Sequence, residues 1–176
     1  MELDQMYEVA EKHFFAKQYN DVKLDNIAND LGIKKPSLYY YFTNKREFFI
    51  KTLKYSMRKY LKKLKEVIQN NELHAFITRY LVYPSKESNL FAIAAQKWYG
   101  HDDEINHIIQ SNKHSIKRDV SDFLASFELR PIKRYLLCQL LEKLAMDNCI
   151  DGYCLEYSID DLTKEIEQFI RAEPNR

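Results

Sequence analysis

The sequence contains few of the residues that build turns. Its 176 residues include only three Gly and four Pro, too few for the many tight turns of a multi-stranded β fold. Long helices need fewer turns, so this scarcity favours an α-helical fold. At roughly 150 residues per domain, the length allows one or two small domains.

Cysteines and long apolar runs are also scarce. The cysteines Cys138, Cys149 and Cys154 are an odd number and form no C-x-x-C pair. This argues against a disulfide framework and for free thiols in a reducing compartment. No apolar run approaches the ~20 residues needed to span a bilayer, and the acidic N-terminus does not resemble a signal peptide. We therefore predict a cytoplasmic protein that has no membrane partner.

Motifs for catalysis and for cofactors are missing. The sequence holds no glycine-rich phosphate loop, dinucleotide fingerprint, nucleophile elbow or H-E-x-x-H motif. The acidic run 102–104 beside His101 and His107 superficially offers metal ligands, but carboxylates are what the helix dipole favours at a helix N-terminus. We interpret the run as solvated surface. The sequence therefore predicts no catalytic residue, no metal and no cofactor, and the protein is not expected to be an enzyme.

Apolar residues recur at helical spacing along almost the whole chain, which predicts an all-α fold. Asn44, Asp102 and Ser158 each precede such a stretch and are suited to cap its first turn. A helix that begins near Glu72 is expected to end at Pro84, because proline lacks the N–H that a helix interior uses.

The segment from Leu24 to Lys45 has the pattern of a helix-turn-helix, two short helices around a glycine turn. In such a unit the second helix probes the DNA major groove. At about 100° per residue, Leu38 and Phe42 of that helix face inward. The residues on the outward arc or at the helix ends are Lys34, Lys35, Pro36, Ser37, Tyr39, Tyr40, Tyr41 and Lys45. We predict that they bind DNA; the alternative is a solvated basic face with snorkelling tyrosines.

This segment and the residues before it resemble the DNA-binding domain of TetR-family regulators. The matching residues are Phe14, Tyr19, Leu24, Ile27-Ala28, Leu31-Gly32-Ile33, Leu38-Tyr39-Tyr40-Tyr41-Phe42 and Asn44-Lys45, without insertion over roughly the first 50 residues. The resemblance implies that Lys35, Ser37, Tyr39, Tyr40 and Lys45 contact bases or phosphates. The chain departs from the family pattern at Gln18, at Val22-Lys23 and at Lys34, where helix-capping residues are usual; Lys23 is expected to contact a phosphate instead.

The resemblance also implies a domain plan and a mode of action. Residues 1–47 would form the DNA-binding domain and residues 48–176 a helical domain for ligand binding and dimerisation. Family members are dimeric repressors, which a small ligand bound in the C-terminal domain usually releases from DNA. Within residues 76–99, aromatic side chains could line a pocket for an apolar or aromatic ligand, although ordinary core packing explains the same spacing. The candidate pocket residues are Phe76, Tyr80, Phe91, Trp98 and Tyr99.

A dimer interface is predicted on the last two helices. Pro131 opens a strongly apolar helix that we extend to Tyr157, with a turn at Asp151-Gly152 as the alternative. With the following helix it would form half of a four-helix interface. The candidate interface residues are Leu137, Leu141, Ala145, Cys149, Gly152, Leu162, Ile166 and Phe169.

The charge distribution agrees with a DNA-binding head. Residues 1–65 hold 14 Lys and Arg against 8 Asp and Glu, an excess of six positive charges. Residues 66–176 hold 13 against 18, an excess of five negative charges, so the net charge of +1 conceals a basic half. We predict a sequence-specific transcriptional regulator, a repressor that binds a pseudo-palindromic double-stranded operator as a homodimer. The alternatives are a TetR-like DNA-binding protein without a ligand and a helical module that docks a partner protein.

Overall fold

The computed structural model describes residues 2–86, 102–150 and 157–172. Within these ranges the chain forms α-helices and one 3₁₀ turn, with no β-strand, which confirms the predicted all-α fold. The helices are α1 (Leu3–Ala16), α2 (Leu24–Asp30), α3 (Lys35–Tyr39), α4 (Lys45–Gln69), α5 (Leu73–Lys86), α6 (Asp103–Ala125), α7 (Pro131–Ile150) and α8 (Ile159–Arg171), and the 3₁₀ turn is Tyr19–Asp21. None of the described helices is long and apolar enough to cross a membrane.

Helix α4 joins two groups of helices, which we call the head (α1–α3) and the body (α5–α8). In the head, α1 packs against α2 and against α4, and α2 packs against α3. In the body, α5 packs against α7 and α8, and α6 packs against α7. Because α4 also contacts α5 and α6, its 25 residues run from the head into the body. The predicted domain boundary after residue 47 falls in the first turn of α4 and stays a prediction.

Aromatic rings form the centre of the head and fix it to the start of α4. The rings of Phe42 and Phe48 stack with centroids 4.1 Å apart. Phe14 of α1 meets Phe49 edge to face at 5.0 Å, and Tyr19 meets the same ring at 5.1 Å. Such pairs add packing energy and also fix orientation. Rings that precede the helix-turn-helix in sequence (Phe14 and Tyr19) and one that follows it (Phe42) therefore hold the head against the start of α4.

All three predicted helix caps are present. The Asn44 Oδ1 accepts the N–H of Glu47 at 2.9 Å, and the Asp102 Oδ1 accepts the N–H of Ile105 at 3.1 Å. The Ser158 hydroxyl oxygen accepts the Asp161 N–H at 3.1 Å. Each cap satisfies an N–H that has no partner within its helix, and so fixes where α4, α6 and α8 begin.

The C-terminal ends of α5 and α7 were both predicted from the sequence. The expectation that Pro84 ends α5 is wrong, since the helix continues to Lys86. A proline removes one backbone hydrogen bond, and the packing of α5 against three other helices offsets that loss. Helix α7 begins at Pro131 as predicted and is described to Ile150. Residues 151–156, which decide whether it reaches Tyr157, lie outside the described residues.

Candidate nucleic-acid interface

The turn between α2 and α3 depends on Gly32. Its φ of +67° lies in the left-handed region that favours glycine. The Gly32 N–H donates to the carbonyl of Asn29, and the Ile33 N–H donates to the carbonyl of Ala28, each at 2.9 Å. This pair of bonds is the Schellman motif, which satisfies carbonyls at a helix C-terminus and reverses the chain. Gly32 thereby sets the angle between the two helices of the unit.

Helix α3 presents tyrosines outward because its one leucine is buried. Leu38 is 1% exposed and belongs to the same core as Ile27 and Ala28, as predicted. Since successive residues turn by about 100°, this anchor leaves Tyr39 and Tyr40 on the opposite side. Tyr40 is 87% exposed and Tyr39 is 49% exposed. Exposed aromatic rings on a probe helix can contact thymine methyl groups, and their hydroxyls can reach phosphates.

The other predicted DNA-binding residues surround these tyrosines. Lys23, Lys34, Pro36, Ser37 and Tyr41 are exposed. Tyr41 lies edge to face with Tyr40, with centroids 5.5 Å apart. The exposed hydroxyls and ammonium groups of this surface are the donors that phosphates and base edges accept.

Two of the predicted lysines already have partners in the head. The Lys35 Nζ lies 2.9 Å from Asp25 Oδ2 on α2, and this hydrogen bond raises the pKa of Lys35. The Lys45 Nζ donates to the carbonyl of Asn20 at 3.2 Å and lies 4.6 Å from the centroid of the Tyr19 ring. Burial lowers the pKa of Lys45. An ammonium has three donors, so one bond to Asn20 leaves others for a phosphate.

The start of α4 is closed by a reciprocal set of hydrogen bonds. While Asn44 caps Glu47, the Glu47 Oε2 accepts both the backbone N–H and the hydroxyl of Thr43, each at 2.6 Å. Lys51 and Thr43 together lower the pKa of Glu47 to about 2. This arrangement resembles a capping box, except that Glu47 bonds to the residue before the N-cap, and it fixes the direction in which the chain leaves α3 and enters α4.

The geometry agrees with the family that the sequence matches. Residues 7–52 match the sequence profile of the family described as "Bacterial regulatory proteins, tetR family". This range contains α2, α3 and the first residues of α4. This stretch of the chain is therefore similar to the N-terminal domain of TetR-family regulators. The family consists of DNA-binding regulators of transcription, so α3 and its exposed tyrosines belong to a DNA-binding domain.

Solved structures extend the likeness to the body of the chain. The transcriptional regulator FadR from Bacillus subtilis, solved in complex with stearoyl-CoA, aligns with a TM-score of 0.71 at 15% identity, over 96% of this chain and 97% of that one. The fatty acid degradation regulator FadR from Bacillus halodurans aligns with a TM-score of 0.69 at 14% identity, over 99% and 100%. A TerR/AcrR-family regulator from Aquifex aeolicus gives 0.66 at 17%, over 95% and 96%. At these identities the likeness shows a shared fold. No curated protein matches the chain closely in sequence.

The candidate pocket residues are described only in part. Phe76 and Tyr80 are buried, with ring centroids 5.8 Å apart, and Phe76 lies 4.4 Å from Phe123 of α6. Burial raises the pKa of Tyr80. These two residues therefore pack in the body core, as the alternative interpretation holds. Phe91, Trp98 and Tyr99 lie outside the described residues, so the pocket stays a prediction.

The residues of the predicted dimer interface differ in their exposure within the protomer. Four of its residues are buried inside the body and offer no free surface: Leu137, Leu141, Ala145 and Ile166. Leu162 is half-buried and Phe169 is exposed, while Gly152 and the side chain of Cys149 lie outside the described residues. Leu137, Leu141 and Ala145 form a buried stripe of α7, which packs against α5 and α6. The position of the dimer interface stays a prediction.

A second apolar stripe of α7 is the one that faces outward. Its residues are Ile132, Tyr135, Leu136 and Leu140, all exposed. Phe169 lies next to the start of this stripe, because the buried Lys133 donates to the Phe169 carbonyl at 2.6 Å and lies 4.4 Å from its ring centroid. A helix that is apolar on two sides is typically covered on both. We call these five residues the α7 outer face.

Proposed function

We propose that the chain is a transcriptional repressor that binds a pseudo-palindromic operator as a homodimer. The observation that carries this proposal is the position of Tyr39 and Tyr40, exposed at the end of α3 and held there by the buried Leu38. In a dimer, two copies of α3 would enter successive major grooves about 34–36 Å apart, or a multiple of that distance. Base contacts by the tyrosines would select the sequence, and lysine contacts to phosphates would supply affinity.

The homodimer is proposed to form through the α7 outer face. This face is apolar, continuous along α7 for two turns, and joined by Phe169 of α8. Exposed apolar residues in one patch are typical of protein interfaces. A twofold dimer would bring the same face of two copies together, so that each apolar face covers the other.

The proposed effector is a small apolar ligand bound in the body. The support is the shared fold with a FadR structure that contains stearoyl-CoA, together with the aromatic content of residues 76–99. Ligand binding would change the separation of the two heads through α4, and it would lower operator affinity only by its differential affinity for the two states. A TetR-family protein without a ligand is the other candidate.

The test begins with selection of duplexes from random-sequence DNA by the full chain. We expect one enriched pseudo-palindrome, bound with an affinity that falls steeply as salt rises. Lys45→Ala should weaken binding uniformly across sequences and reduce the salt slope, whereas Tyr39→Ala and Lys35→Ala should also change the preferred sequence. Lys164→Ala and Tyr157→Ala, in exposed positions of the body, are matched controls.

Three results would contradict parts of the proposal. Absence of any enriched sequence, or affinity that does not change with salt, would favour a protein-interaction module. Equal effects of Lys45→Ala, Lys35→Ala and Tyr39→Ala on specific and nonspecific DNA would refute the assigned roles. Titration of the bound complex with stearoyl-CoA tests the effector: an unchanged dissociation constant refutes that ligand, whereas release supports it.

A further inference from the structure

Arg46 lies in the segment 34–46, in which every charged residue is a cation, but it binds the body. Its guanidinium Nε lies 2.5 Å from Asp102 Oδ2, and its Nη2 lies 2.9 Å from Asp102 Oδ1 and 2.8 Å from Glu104 Oε2. These partners are 56 and 58 residues away in sequence. The two parallel bonds to Asp102 are the bidentate arrangement that fixes both the distance and the angle of a pair. The contact therefore joins the first turn of α4 to the start of α6.

Asp102 has a second role that limits its freedom to move. The oxygen that accepts the Arg46 Nη2 also accepts the N–H of Ile105, so one carboxylate both caps α6 and binds α4. Arg46 lowers the pKa of Asp102, which keeps the carboxylate ionised. Glu104 adds a second link, since its Oε1 lies 3.9 Å from the Lys54 Nζ. Rotation of Asp102 away from Arg46 would also disturb the first turn of α6.

Adjacent residues of α4 thus bind opposite parts of the molecule. Lys45 bonds to Asn20 in the head, and Arg46, turned by about 100° around the helix, bonds to α6 in the body. The head, α4 and α6 are consequently connected through two successive side chains. A change in the Arg46 contact would alter the angle at which the head leaves the body.

We propose that Arg46, Asp102 and Glu104 are positioning residues that set the angle of the head, and that Arg46 does not contact DNA. This inference rests on the proposed function, because the head angle matters where two heads must match two half-sites. Exposed ion pairs contribute little to folding, so loss of this one should leave the chain folded. The expected consequence is a change in the preferred distance between half-sites.

If Arg46 contacted a phosphate, neutralisation of its two carboxylate partners would change DNA affinity in the opposite direction. If Asp102 and Glu104 merely held Arg46 in the absence of DNA, their neutralisation would release Arg46 and strengthen binding. If they position the head, the same change weakens binding. Asp102→Asn suits this test because asparagine retains the capping oxygen while losing the charge. Asp103→Asn removes a neighbouring exposed carboxylate and controls for the general effect of charge on DNA affinity.

The experiment uses the full chain and the duplex that the wild type selects, together with versions carrying one or two base pairs inserted between the half-sites. For Asp102→Asn/Glu104→Gln and for Arg46→Ala we expect roughly tenfold weaker binding to the selected duplex, the effect of about 1.4 kcal/mol. These variants should also prefer the selected duplex over the inserted duplexes by a smaller factor than the wild type does. The salt slope should not change. Arg46→Lys should behave like Arg46→Ala, because lysine lacks the bidentate fork. Circular dichroism of each variant checks folding, and Arg58→Ala controls for loss of one cation on α4.

The outcomes separate this inference from the proposed function. A salt slope reduced by about one in Arg46→Ala, with the spacing preference intact, identifies a phosphate contact and overturns the inference. Tighter binding by Asp102→Asn than by Asp103→Asn overturns it as well, as does wild-type binding by Arg46→Lys. In these cases the wild type still binds its operator, so the proposed function stands. A wild-type chain that selects no duplex overturns both.

Discussion

Leu136 offers the sharpest test of the proposed homodimer. It lies in the middle of the α7 outer face and is 57% exposed in the protomer. Full burial of a leucine side chain stabilises by about 1.5–3 kcal/mol, so burial of the exposed half should contribute about 1 kcal/mol. A twofold dimer buries two copies. The change Leu136→Ala should therefore weaken the dimer by about 2 kcal/mol, or roughly 30-fold in the dissociation constant.

Sedimentation of a dilution series at fixed salt measures this constant. The matched control is Leu3→Ala, because Leu3 is a similarly exposed leucine, 46% by area, that lies on α1 and outside the α7 outer face. We expect the control to dimerise like the wild type, and both variants to keep the wild-type unfolding temperature of the protomer. A dissociation constant for Leu136→Ala within about threefold of the wild type would refute the assignment of this face, as would equal weakening by Leu3→Ala.

Three further predictions concern the head. Gly32→Ala should lower the free energy of unfolding by roughly 1–2 kcal/mol in denaturant titration, since a φ of +67° strains a residue with a Cβ. Gly32→Asn should lose less stability, because asparagine tolerates this conformation better. Unchanged stability of Gly32→Ala would contradict the strain. Leu38→Ala should lower the free energy of unfolding by about 2–5 kcal/mol. Tyr40→Ala should leave stability unchanged and abolish tight operator binding, because Tyr40 is exposed. A Tyr40→Ala variant that binds the operator normally would refute its role. The pKa of Glu47 in the folded chain is about 2, below its usual 4.5, so its contribution to stability is present above pH ~4.5 and is lost as pH falls towards 2. The difference in unfolding temperature between wild type and Glu47→Gln should therefore disappear over that pH range.

Local sequence signals predicted the head well because its contacts are local. The turn at Gly32 and the cap at Asn44 each involve residues within a few positions, and the helical spacing around Leu38 predicts which side of α3 faces out. The family profile covers the same region. Contacts between residues that are close in sequence can be predicted from residue type and spacing.

The body was harder to predict because its decisive contacts are distant. Helix α7 carries two apolar stripes, and the spacing of Leu137 and Leu141 predicts a buried face as well as it predicts an interface. Only the positions of α5 and α6 show that this stripe is the inner one. The Arg46 contact is a similar case, since no pattern near Arg46 points to a carboxylate 56 residues away. The run 102–104 was correctly identified as a helix N-terminus, but its role as a receptor for Arg46 depends on the tertiary fold.

The distribution of these contacts changes how the basic half of the chain should be interpreted. The charge count places Arg46 and the neighbouring lysines together in the basic half, yet the structure divides them. Lys34 lies exposed, Lys35 is paired within the head, and Arg46 is bound to two carboxylates of the body. Part of the acidic excess of residues 66–176 therefore compensates charge at the start of α4 rather than merely repelling DNA. Under the proposed function, specific binding would then depend on the groups that remain exposed around Tyr39 and Tyr40, and on the angle of the head on α4.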